Sequence, residues 1–379
     1  MLAADATLKR RAMSTIKKIV LTGGPCAGKT TAKAYLAQKL GDVGFHVVFV
    51  PEAPTLLLDN GVRPGPGLLS VESFQQLVLD LALDLEAQYG RAAAAMSEAA
   101  KPVLIFDRGI RDGLAYVEDP RQFTRWLKQR GLTPVTSRDA RYHGVFHLRT
   151  AALGAEQYYS LDSNPVRLET ATEAKMRDGR TLAAWTGHPH LRVIPNTGTF
   201  EQKLKHLLAE ICVLLGIPQP VETERKFLVR LGLDPNDLTA HARVDIEQFY
   251  LLSNDSDGGL RFRKRSQNGD AVYFRTYKRP GAHPASRIET EDFITAGEYE
   301  FGKQFMLPGS RFVRKVRHCF VYEHQYFELD EFSEPALDYC LLELELAHPD
   351  QPITLPPFLK VVREVTGEPV YANYALAFA

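Results

Sequence analysis

Two hydrophobic patterns divide this chain. In the first half, short apolar runs stand apart: Lys18–Thr22, His46–Val50, Val103–Phe106, Gly144–Leu148 and Leu191–Pro195. Such runs, without alternation, predict strands buried on both faces of a parallel sheet. Between them Thr31–Leu40, Ser73–Ala100 and Phe200–Leu215 carry helical periodicity and good helix formers. Strand and helix in turn predict an α/β domain, a parallel sheet with flanking helices. From residue 222 the pattern changes. Strand side chains alternate between faces, so Glu222, Glu224 and Lys226 project one way. The spacing returns in Arg261 and Arg263, in Arg287, Glu289 and Glu291, and in Lys315 and Arg317. It returns again in Glu328 and Asp330, and in Glu343 and Glu345. Phe227, Phe262, Ile288, Val316, Leu329 and Leu344 fall on the opposite, apolar face. Ion pairs on the wet side of an ordinary sheet explain one such strand. A succession of them predicts an α+β domain built on an antiparallel barrel with a charged lumen.

A chain of 379 residues suits two domains, and 45% hydrophobic content allows each a core. The expected organisation is a flexible tail over 1–17, a nucleotide domain over 18–216, a stiff link over 217–220 and the barrel domain over 221–379. The prolines of the link, Pro218 and Pro220, argue against a free tether. Formal net charge is +0, so nothing calls for nucleic acid as a partner, although a local cationic lumen remains compatible with it. Cys26, Cys212, Cys319 and Cys340 lack metal-ligand spacing and read as reduced thiols of a cytoplasmic protein. No apolar stretch is long and clean enough to span a bilayer.

Directly after the first strand comes Gly23-Gly24-Pro25-Cys26-Ala27-Gly28-Lys29-Thr30, followed by Thr31 and a helix. This is the GxxxxGK[ST] phosphate loop in its required strand–loop–helix setting. Its glycines let backbone N–H groups turn toward phosphate oxygens at a helix N-terminus. Lys29 is expected to bridge the outer phosphates and Thr30 to offer its hydroxyl to Mg²⁺. Asp107, at the tip of the third strand, is the expected carboxylate for that cation, with Arg108 touching phosphate or pairing with Glu52. Glu52 reads equally as a group orienting water or acceptor and as a cap. Asp112 reads equally as a proton acceptor from substrate and as a helix cap. Arg167 is the candidate lid arginine of the charged stretch Glu156–Asp178, where a solvated helix charge is the commoner outcome. Asn196, after the last strand, is taken as nucleotide-binding. His188 and His190 flank Pro189 without a third ligand, which predicts a structural loop. The guanine-reading NKxD motif is absent, so these residues leave GTP and ATP both open.

Glu222-Thr-Glu-Arg-Lys226, the pairs after it, Gln248, Tyr250, Thr276–Lys278, Glu364–Thr366 and Tyr371–Asn373 resemble the CYTH family, the triphosphate tunnel metalloenzymes. Thr22–Thr30, Val50–Glu52 and Phe106–Gly109 resemble the NadR-type AAA family of P-loop proteins. With Arg141–Tyr142, Thr150–Ala152, Gly154–Glu156 and Trp185–His190, the chain from Ile19 on is similar to the TRPL translocation defect protein family. That resemblance implies a GTP-binding P-loop domain joined to a CYTH domain, with phosphoinositide binding and peripheral membrane contact in trafficking. Cys26 stands where that loop often carries a small residue or glycine, a change expected to be harmless for phosphate binding.

In such a tunnel Lys226, Arg261, Arg263, Lys278, Arg287, Lys315 and Arg317 are expected to bind phosphate oxygens. Glu222, Glu224, Asp330, Glu343 and Glu345 are the expected ligands for Mg²⁺ or Mn²⁺. Glu222, Glu224, Lys226, Lys315 and Arg317 form the candidate catalytic set of a metal-dependent triphosphatase. The alternatives are a non-catalytic regulator that binds GTP and a phosphoinositide headgroup, and a small-molecule kinase using the Asp107–Asp112 region.

Overall fold

The computed structural model describes residues 16–158, 170–217, 221–230, 232, 241–252, 259–280, 286–346 and 351–379. Arg167 lies outside them, as do the side chains of Glu222, Arg287 and Glu289. The chain divides into two compact units, Met1–Leu208 and Ala209–Ala379. Among the described residues no helix is long and apolar enough to cross a membrane.

In the first unit the apolar runs form β1 (Lys17–Gly23), β2 (His46–Val50), β3 (Pro102–Asp107), β4 (Gly144–Leu148) and β5 (Leu191–Ile194). All pair in parallel, in the order β2-β3-β1-β4-β5. Ile19, Val20, Leu21, Val103, Leu104 and Ile105 are fully buried, as strands covered on both faces must be. The strand order reverses beside β1, so the crevice outside the strands' carboxyl ends opens where the phosphate loop begins. The helix expected from Ser73 starts earlier, at Val71, because the Ser70 side chain caps the Ser73 N–H at 3.0 Å. It ends at Ala94, short of the expected Ala100. Behind the sheet, Trp185 and Tyr142 pack edge to face at 5.5 Å, and Tyr142 against Phe106 at 5.4 Å.

The second unit is antiparallel throughout. Its strands are β6 (Val221–Arg230), β7 (Ala242–Leu251), β8 (Gly259–Gln267), β9 (Asp270–Pro280), β10 (Ser286–Ile294), β11 (Val313–Tyr322), β12 (Gln325–Glu334), β13 (Ala336–Leu346) and β14 (Val361–Glu364). They follow the order β10-β9-β8-β7-β11-β12-β13-β6-β14. In addition β10 pairs with β6, Ser286–Ile288 against Val221–Thr223, which closes eight strands into a ring. β14 continues along the same edge of β6, at Phe227–Val229.

Alternation then sorts the side chains. Phe227, Val229, Phe327, Leu329, Leu342 and Leu344 form one core on the outer face. Each such burial contributes about 1.5–3 kcal/mol. Phe249 and Leu251 form another beneath Tyr299 of the helix Ala296–Gly302, with Phe249 and Tyr299 at 5.2 Å. On the inner side, Tyr250, Val313, Phe332 and Leu341 pack with Leu376 and Ala377 of the last helical turn. The charged residues of the barrel share that inner side.

Candidate functional site

The phosphate loop is shaped by close approaches. Gly23, at φ 143°, passes the carbonyl of Leu148 so tightly that no Cβ fits. A Cβ on Gly24 would lie 2.7 Å from that of Asp178. Asp178, fully buried, accepts the N–H groups of Gly24 and Thr150, each at 3.0 Å, and lies 3.1 Å from Arg149. Burial raises its pKa, but His147, Arg149 and the Gly24 N–H outweigh this and bring it to about 2. On the other flank Lys203 donates to Ala27 O at 3.0 Å, Arg149 O at 2.7 Å and Asn196 Oδ1 at 2.7 Å. Burial, with Lys29 and Arg149 nearby, lowers its pKa to about 7 against the pull of Asp178. Cys26 takes φ 54°, a left-handed backbone costing a non-glycine residue about 1 kcal/mol. Gly28 N-caps the helix Lys29–Asp42, which places Lys29 and Thr30 in its first turn. Burial and the Arg108 guanidinium lower the pKa of Lys29.

Asp107 ends β3 beside this turn. Its Oδ2 accepts from Lys33 Nζ at 2.7 Å, while its Oδ1 is buried with no hydrogen-bond partner among the described residues. An orphaned carboxylate oxygen next to a phosphate loop fits a water-bound hard cation. Arg108 pairs with Glu52 and donates to Gly23 O at 3.1 Å, so of its two expected roles the structure displays the ion pair. Burial raises Glu52, but Arg108 and Lys29 outweigh it and hold its pKa at about 2. Asp112 is buried and accepts from Thr22 Oγ1, Gly109 N at 2.7 Å and Trp185 Nε1 at 3.4 Å, the geometry of a cap. Burial raises its pKa. Asn196 directs its amide nitrogen to Thr150 O and Leu153 O, both at 2.7 Å, and so braces the loop after β4. His188 accepts the His190 N–H at 3.0 Å and meets Tyr142 O at 3.2 Å, and burial pulls its pKa down to about 3. Between the strand tips and the helix Val71–Ala94 lies a cavity of about 410 Å³ that reaches Lys29 and Asp107.

The barrel gathers its charges as the alternation predicts. Lys226 Nζ lies 2.8 Å from Glu343 and 3.5 Å from Glu224. Burial lowers the Lys226 pKa, but Glu224 and Glu343 outweigh it and raise it. Arg317 donates to both oxygens of Asp330 at 2.7 Å, to Glu343 at 3.0 Å and to Glu328. Lys315 pairs with Asp330 and reaches Asn373 Oδ1 at 3.1 Å. Burial pulls Lys315 down to about 8, partly offset by Asp330. Arg263 bonds Glu291 at 2.9 Å, and Arg261 bonds Thr276 Oγ1 at 3.3 Å. Lys278 acts electrostatically on both Lys226 and Tyr250. Glu224 and Glu345 stand directly opposite each other on β6 and β13. Gln248, buried, carries an Nε2 without a hydrogen-bond partner among the described residues. Arg265 extends the alternation of Arg261 and Arg263 by one more buried cation, which continuing that period would have found.

Among the described residues no group of three or more His, Cys, Asp or Glu side chains is set to hold a metal ion. Asp330 and Glu343, expected as ligands, hold Arg317, Lys315 and Lys226. Glu224 and Glu345, opposite each other on β6 and β13, have the oxygen chemistry of a hard-cation site, with Lys226 3.5 Å from Glu224. All four cysteines are free thiols.

No curated protein matches the chain. Among solved structures it is similar to the inorganic triphosphatase NE1496, at 30% identity over 42% of this chain and 95% of that one, with a TM-score of 0.31. It is similar also to the PH1819 protein from Pyrococcus horikoshii OT3, at 24% identity over 33% and 76%, TM-score 0.27. A third is thymidylate kinase from Candida albicans, at 15% identity over 52% and 91%, TM-score 0.36. Residues 18–203 match a family model described as AAA domain.

Proposed function

We propose that the first unit binds a nucleoside triphosphate at Gly23–Thr31, with GTP favoured by the family resemblance, and that the barrel is a CYTH tunnel. In this reading the tunnel takes a triphosphate or related polyphosphate complexed with Mg²⁺ or Mn²⁺ and hydrolyses it. The observation that carries it is the convergence of Lys226, Lys315, Arg317, Arg261 and Arg263 with facing carboxylates on the inner side of one closed barrel. So many charges turned inward make little sense for stability, because buried ion pairs seldom outweigh their desolvation. They make sense as a polyanion site. The partnerless amide of Gln248 is one donor waiting for an acceptor oxygen.

Arg261, Arg263 and Lys226 grip phosphate oxygens, the arginines through their forked donors. Asp330, Glu328 and Glu343 hold Arg317 and Lys315 in place from below. Glu222, Glu224 and Glu345 would hold a hard cation, which would supply charge neutralisation and Lewis acidity. At the P-loop, Thr30 and Asp107 are the corresponding cation ligands.

Phosphate release from tripolyphosphate with Mg²⁺ or Mn²⁺, compared with Glu224→Ala, tests the tunnel. The expected loss in the variant is about 100-fold or more. Absence of metal-dependent release from the wild type rules against hydrolysis. Binding of inorganic polyphosphate or a phosphoinositide headgroup without cleavage would then define a clamp. Titration of GTP and ATP against Lys29→Ala tests the loop, and equal binding by both proteins discredits it.

A further inference from the structure

Lys203 reaches the phosphate loop from the helix Phe200–Leu215. It is buried, and its Nζ donates to Ala27 O, Arg149 O and Asn196 Oδ1. These acceptors stand on three separate segments: the phosphate loop and the turns after β4 and β5. An ammonium carries three N–H donors, which matches the acceptors, whereas a neutral amine carries two. The charged groups that face it are Asp178, Lys29 and Arg149.

The bond to Ala27 matters because a peptide unit is planar and trans, so its C=O and N–H point opposite ways. Holding the Ala27 carbonyl outward turns the Gly28 N–H inward, toward the place a phosphate takes. Other carbonyls of the loop are held in the same manner. Arg108 donates to Gly23 O at 3.1 Å, the Thr150 hydroxyl to Pro25 O, and the Ala151 N–H to Cys26 O at 3.1 Å. A backbone N–H, a hydroxyl and a guanidinium all keep their protons at ordinary pH. Lys203 is the tie that loses its proton near neutrality, since burial, with Lys29 and Arg149, brings its pKa to about 7 against Asp178.

We propose that Lys203 is a positioning residue of the phosphate loop and that its protonated form is the one that binds triphosphate. Binding then takes up a proton and weakens at alkaline pH. The inference rests on the reading of Gly23–Thr31 as a nucleoside triphosphate site.

Two effects act in the same direction. Deprotonation leaves two donors for three acceptors and sets a lone pair against an oxygen, so the Ala27–Gly28 peptide loses its anchor. Arriving phosphates favour the charged ammonium and raise its pKa. Affinity is therefore full below pH 7 and declines as pH climbs from there toward the higher value in the complex. The terminal phosphate loses its last proton at about pH 6, so its own charge is constant over the alkaline range. Lys29, whose pKa is also lowered by burial, would give a slope of the same sign, and a substitution at Lys203 separates the two.

The test is calorimetric titration of the full chain with ATP and GTP at constant Mg²⁺, from pH 7 to 9, in two buffers of different ionisation heat. Wild-type affinity is expected to fall about tenfold over that range, with net proton uptake at pH 8. Lys203→Arg, charged throughout, should bind with most of this slope and uptake removed. Should it fail to fold, Lys203→Gln serves: neutral throughout, it should bind about tenfold more weakly at pH 7 and match the wild type near pH 9. A wild type that binds without pH dependence or proton uptake overturns the proposal and leaves the loop assignment standing. An equal slope in wild type and variant does the same, because the proton then belongs to Lys29. A wild type that binds neither triphosphate at any pH brings down the loop reading as well.

Discussion

Asp178 joins Gly24, Thr150, Arg149 and His147 at one buried point. Asp178→Ala leaves two N–H groups and a guanidinium without their acceptor. We expect a loss of about 3–5 kcal/mol in urea unfolding, together with weaker triphosphate binding. His188 gives a pH signature. Its pKa is about 3 folded, against 6.5 for a free imidazole, so the unfolded chain takes up a proton that the folded one refuses. Its contribution is whole above pH 6.5 and declines as pH falls toward 3, by up to about 1.4 kcal/mol per pH unit. Below about pH 4 the carboxylates of Asp178 and Glu52 add to the decline, since both are held near 2. Thermal unfolding from pH 7 to 4 should show this slope, and a flat profile would contradict it. The phosphate loop could be read in the sequence because its signature is contiguous. Asp178 and Lys203 could not, because their partners lie far away in sequence, and Asp178 resembled one more charge on a solvated helix.

At the scale of elements, the barrel strands were legible from alternation, since period two alone decides which face a side chain takes. The partners of each charge were not. Asp330 was expected on a metal, yet β11 sets Arg317 directly opposite it, and that register depends on pairing rather than on local pattern. Arg317 thus acts as the keystone of the inner face. Arg317→Ala leaves Asp330, Glu328 and Glu343 crowded together, with an expected cost of about 3–5 kcal/mol by denaturant titration. Arg314→Ala, on the outer face and exposed to solvent, is the matched control, with an expected cost of about 0–1 kcal/mol. Similar costs for the two would remove the keystone role.

At the scale of the whole molecule, each unit has its own core and its own candidate anion site. Calorimetry is therefore expected to resolve two transitions, one raised by ATP or GTP and one by tripolyphosphate. Each ligand adds about 2.7 kcal/mol at a hundredfold excess over its Kd. Lys29→Ala should erase the first shift and spare the second. A single transition moved equally by both ligands would argue against separate sites. The α/β and barrel classes were readable because composition and period differ so sharply on either side of residue 222. Which strands meet to close the ring was not, since it depends on Ser286–Ile288 meeting Val221–Thr223.

That closure has a consequence for how the protein is made. β6 is synthesised first among the barrel strands, yet its partners β10, β13 and β14 all come later. While the ribosome works through the intervening chain, this strand stays without hydrogen-bond partners and open to mispairing. Assembly must wait for distant segments, and such non-local pairing makes the barrel slow to form.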